Sequence, residues 1–130
     1  MIKQNIYLKK YKWYITVLYN TNTNDIDDII DKLKEMNISK KDLYSAYKNI
    51  IDGKINTGFI YTNFEEKETL ITIGETNSTE EFINTVVHEA NHLQSHIATY
   101  YNLDEKGEEV SYLIGDIVKR MYNVFKKFIH

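Results

Sequence analysis

At 130 residues and without cysteine, the chain is long enough for one domain around one core, and a disulfide framework or thiolate-bound metal is excluded. Its net charge of −3, with Lys and Arg scattered, gives no electrostatic footprint for nucleic acid. No apolar run is long enough to span a membrane and none forms the core of a signal peptide, so a cytoplasmic protein is expected.

Residues 5–9 and 12–19 are rich in β-branched and aromatic types and read as a strand pair turning at Lys9-Lys10, with a single long strand as the alternative. Ile26, Ile29, Ile30, Leu33 and Met36 keep helical spacing, and Asp25, Asp27 and Asp28 crowd the first turn, where the helix dipole favours anions. A second helix starts at Ser39 with Asp42 three residues on, a variant of the capping box. It is expected to bury Leu43, Ala46, Tyr47 and Ile50 and to stop near Gly53. Both helices read as packing elements without chemistry of their own.

Thr57 to Phe64 and Thr69 to Ile73 alternate as strands joined through Glu65-Glu66-Lys67-Glu68. Ser78 and Glu81 then open a long helix with a capping box, and that helix runs to about Tyr101. Asn102-Leu103-Asp104 breaks it, and Gly107 stands near the start of the last helix. So short a turn makes the two helices antiparallel neighbours. The expected fold is α+β: one domain over residues 1–130, with a small, mainly antiparallel sheet packed on helices. No repeat, linker or second domain interrupts it.

The long helix contains Val87-His88-Glu89-Ala90-Asn91-His92-Leu93, an H-E-x-x-H sequence. Residues four apart share a helix face, so His88 and His92 can offer two imidazoles to one metal ion. Phe82, Ile83, Val86, Ala90, Leu93, Ile97 and Tyr100 form the apolar stripe, the histidines fall on another side, and Glu89 lies at the border. The chemistry that suits this layout is a Zn²⁺ site with Glu89 moving the proton of an activated water.

Such a centre needs a third protein ligand. On the last helix the apolar face is Val110, Leu113, Ile114, Ile117, Met121, Val124 and Phe128. Glu109 sits about 100° from its centre and Glu108 about 160° away. Glu109 is therefore the expected ligand and Glu108 its substitute. Asp116 lies two turns along nearly the same stripe and can orient a ligand histidine. His96 continues the series from His92; it can bind substrate, stabilise an oxyanion, or replace the glutamate as ligand. Tyr112 is the other candidate to steady an oxyanion.

An H-E-x-x-H pair followed by a glutamate on the next helix resembles the gluzincin, or thermolysin-like, zinc metallopeptidases. The form is minimal, similar to small peptidases encoded by phages and mobile elements, and the abundant Asn, Ile, Lys and Tyr suit an AT-rich genome. The likeness covers roughly residues 57–117. It implies hydrolysis of a peptide or protein substrate that lies extended beside an edge strand above the metal helix, one strand of the hairpin pairing with it. One position departs from the family: four residues after the glutamate ligand those enzymes carry an aspartate, and here stands Leu113. The alternative, from another class, is a non-catalytic zinc-binding structural or protein-interaction protein.

Overall fold

In the computed structural model, which describes residues 1–129, the β-branched and aromatic opening folds into a hairpin of β1 (Ile2–Leu8) and β2 (Trp13–Thr21). The two pair antiparallel from Ile2↔Tyr19 to Leu8↔Trp13. Two helices follow, α1 (Ile26–Glu35) and α2 (Lys40–Ile51), and then a second hairpin of β3 (Gly58–Asn63) and β4 (Glu68–Gly74). The chain closes with α3 (Thr79–Tyr101) and α4 (Glu108–Phe125), which run antiparallel.

The sheet order is β1-β2-β4-β3. β2 and β4 are parallel, with Thr16 opposite Leu70, while the hairpin pairs are antiparallel. A parallel pair needs a crossover, and α1, α2 and β3 provide it. β1 and β3 are left as the edges.

Strand period then sorts side chains onto two covered faces. Trp13, Ile15, Val17 and Tyr19 of β2 and Ile71 and Ile73 of β4 pack against Phe82, Val86, Ala90, Leu93 and Ile97 of α3 and Leu113, Ile117 and Met121 of α4. On the other face Leu18, Phe59 and Leu70 meet Ile29, Leu33, Ala46 and Ile50 of α1 and α2. β4 is enclosed on both faces and is buried at every position but Glu68.

The helix starts follow from their caps. Ser39 Oγ accepts from the Asp42 amide and Ser78 Oγ from the Glu81 amide, each at 3.1 Å; such caps contribute about 1 kcal/mol apiece. Asn102, left-handed at φ 55°, ends α3. Two expected core residues lie at the margin instead: Tyr47 is 45% and Tyr100 47% exposed. Tyr47 falls on the outer side of α2, whose buried residues are Ala46 and Ile50. Tyr100, near the end of α3, meets Trp13 edge-on at 5.5 Å between ring centroids. Lys67 Nζ donates to the Tyr101 hydroxyl at 2.7 Å, which fastens the β3–β4 turn to the end of α3. No helix among the described residues is long and apolar enough to cross a membrane.

Candidate metal centre

α3 places His88 and His92 one turn apart, and their Nε2 atoms stand 3.1 Å from each other. Two nitrogens each about 2.05 Å from a tetrahedral zinc are about 3.3 Å apart. The pair therefore fits such an ion without moving the helix. The same separation suits an N–H···N hydrogen bond when one ring carries its proton on Nε2. Both imidazoles are exposed, whereas Glu89 between them is only 4% exposed. One donor atom from each of His88, Glu89 and His92 lies within 4.8 Å of the other two.

Glu89 is buried because β3 begins directly over it with a glycine. A Cβ on Gly58 would overlap Glu89 Oε2 and come within 2.8 Å of Thr85 Cγ2. No other residue leaves the carboxylate this space. Burial pushes the Glu89 carboxyl above the ordinary carboxylate range, and His88, His92 and Lys54 pull it back down. A carboxyl held in this way takes up a proton more readily than a solvated one.

The group opens into a cavity of about 160 Å³ lined also by Asn49, Lys54, Gly58, Phe59 and Ile60. α2 and the 3₁₀ turn after it therefore contribute to the site through Asn49 and Lys54, beyond the packing role expected of that region. Gly58 carried a readable signal, since glycine in a strand often marks a close backbone approach. Asn49 and Lys54 carried none, because only the tertiary fold brings them to α3.

His96 lies further along the β3 flank of α3. Its Nδ1 is 2.8 Å from Thr62 Oγ1 on β3, and its ring rests on Phe64 at 5.4 Å between centroids. Burial, and secondarily the charge on His92, lowers its affinity for a proton.

The structure does not bring the expected α4 residues to the histidine pair. Glu109 faces the β1–β2 turn, where Lys10 Nζ donates to its carboxylate at 3.4 Å. Asp116 accepts from Arg120 Nε at 3.0 Å rather than orienting a histidine. Tyr112 is 72% exposed, and Glu108 is exposed as well. Glu109, Tyr112 and Asp116 line a separate cavity of about 500 Å³. The physical reason is the α3–α4 seam, which is apolar and tight, so the polar flank of α3 meets β3 instead. Among the described residues, the clustered donors are His88, Glu89 and His92.

No protein-family model, curated protein or solved structure matches this chain. The likeness to thermolysin-like enzymes therefore rests on the His88-Glu89-His92 group, which is able to hold a metal ion. The two carboxylates of the larger cavity already answer Lys10 and Arg120, whereas the smaller cavity holds the converging donors.

Proposed function

We propose that this chain is a zinc-dependent hydrolase of peptide bonds, with His88 and His92 holding the metal and Glu89 as general base and then acid. The observation that supports it best is the approach of two Nε2 atoms to 3.1 Å beside a carboxylate buried under Gly58. Bound there, zinc supplies a Lewis acid that acidifies water and polarises a carbonyl. Glu89 takes the proton of the attacking water and passes it to the leaving amine. Its raised proton affinity suits both halves of that transfer. β3 is a free sheet edge, whose unpaired backbone groups suit an extended peptide laid beside the site. Lys54 supplies a positive charge on the wall of the cavity.

The test begins with metal content by elemental mass spectrometry, wild type beside His88→Ala. About one zinc per chain is expected in the wild type and little in the variant. A peptide-library screen then compares wild type with Glu89→Gln. The variant should keep its zinc and lose turnover by at least about a hundredfold. Undiminished turnover in Glu89→Gln would overturn the mechanism.

One observation favours a second reading. Glu109 is engaged with Lys10, so α4 offers this group no third ligand, which a hydrolytic zinc site requires. A zinc ion held by this chain for protein contact would instead complete its coordination from the partner. Zinc retained by a protein that cleaves nothing in the library would select it.

A further inference from the structure

Four side chains join the core of the sheet to the rim of the metal centre. Trp13 is wholly buried, and its indole N–H, a donor only, gives its hydrogen to Thr69 Oγ1 at 2.9 Å. Thr69, equally buried, must place its own hydroxyl hydrogen, and Thr62 Oγ1 stands 2.7 Å away. Thr62 in turn meets His96 Nδ1 at 2.8 Å. If each hydroxyl donates to the next residue, every hydrogen in the row has an acceptor. In the reverse order His96 would donate to Thr62 and Thr62 to Thr69, and the Thr69 hydrogen would be stranded where water does not reach.

The first order leaves Nδ1 of His96 without a proton, so the neutral ring carries it on Nε2. That Nε2 has no hydrogen-bond partner among the described residues and is not enclosed. We infer that Trp13, Thr69 and Thr62 lock His96 as the Nε2–H tautomer, making it a fixed donor to a backbone carbonyl of the bound peptide and not the third metal ligand. Ligation through Nε2 would require the proton on Nδ1, which the row opposes.

The placement fits a substrate contact away from the scissile bond. Gly58 and Thr62 lie on one face of β3 and meet Glu89 and His96 of α3, so strand and helix run side by side in the same sense. Seven residues of helix advance about 10 Å. An extended peptide along the β3 edge covers that distance in about three residues. His96 is thus a positioning residue, about three residues along the peptide from the chemistry. The peptide contact rests on the hydrolase reading; the tautomer does not.

The test is ¹⁵N NMR of the labelled full chain, zinc-free and after addition of zinc. Expected are an unprotonated Nδ1 and a protonated Nε2 on His96 in both states, with zinc-induced shifts on His88 and His92. Thr62→Val should release His96 into a mixture of tautomers. An Nδ1–H tautomer in the wild type, or loss of the Nε2 proton on adding zinc, would overturn the assignment. With a peptide selected by the library screen, His96→Ala should raise KM about tenfold at unchanged zinc content, with kcat little altered. His96→Gln, which keeps an N–H donor, should recover part of that loss. A fall in zinc content in His96→Ala would instead make His96 a ligand and sink the proposal. If no peptide is cut, the spectra still decide the tautomer, so failure of the hydrolase reading and failure of this one are distinguishable.

Discussion

The two flanks of α3 show opposite kinds of surface. Toward α4 the helix helps to build an apolar cluster with Leu113, Ile117 and Met121. The polar residues of that side stand out at the rim as the Lys10–Glu109 and Arg120–Asp116 ion pairs. Toward β3 it offers Glu89 and His96, answered by Gly58 and Thr62. The first flank asks only for apolar residues of suitable volume, and many would serve. The second asks for particular atoms at particular positions. Function on this helix is expected where substitution is least tolerated, on the β3 side.

One substitution made on both sides sharpens the contrast. Gly58→Ala puts a methyl group into Glu89 Oε2 and Thr85; overpacking of this kind costs about 1–3 kcal/mol. It should also displace Glu89 and lower zinc-dependent turnover by at least about a hundredfold. Gly115→Ala meets nothing within 4 Å on an exposed stretch of α4. It should raise stability by about 0.5–1 kcal/mol, because alanine is the better helix former. Urea unfolding of the two variants, read beside turnover, checks both signs. Equal effects from the two alanines would erase the distinction between the flanks.

A smaller effect separates His96 from its surroundings by pH. The folded protein lowers the proton affinity of His96 below the ordinary pKa of 6.5, and burial is the main cause. In the window between that value and the lowered folded one, the unfolded chain therefore binds the proton more fully than the native one. The stability His96 contributes is complete above 6.5 and drains away as pH falls through the window. His96→Gln has no such proton to take up. The stability difference between wild type and variant should thus shrink on acidification, as read from urea midpoints at a series of pH values. A difference independent of pH would show that the ring is as basic folded as unfolded.

Much of this architecture was legible because its causes are local. Ser39 and Ser78 announce helix starts through hydrogen bonds to amides three residues away. The opening strand pair and the second hairpin follow from runs of β-branched residues and the polar turns between them. The histidine pair needs only helical spacing, and the two Nε2 atoms do converge. What stayed hidden depends on which element covers which face. Periodicity puts Glu89 at the border of the apolar stripe, but it cannot say whether α4 or β3 lies over that border. Both helices of the crossover looked inert for the same reason. Asn49 and Lys54 reach the site only because the crossover returns the chain to a strand beside β4, next to α3. The row from Trp13 to His96 spans three strands and a helix, and no local pattern encodes it.

The smallest expected effect tests the placement of the site most directly. Glu109 lies at the right angle on α4 to reach a partner helix, and by helical geometry alone it is a reasonable ligand. Its carboxylate is instead 3.4 Å from Lys10 Nζ, and both side chains are substantially exposed, 42% and 69%. Solvent screens such a pair, so its loss should cost no more than about 0.5 kcal/mol. Glu109→Ala should accordingly leave zinc stoichiometry and affinity unchanged, as measured by calorimetric titration beside His92→Ala, which should abolish uptake. A ligand lost from a zinc site weakens binding by orders of magnitude, so the two outcomes cannot be confused. Weakened binding in Glu109→Ala would mean that α4 swings its carboxylate across the seam once zinc is present. The β3 flank would then hold only half of the centre.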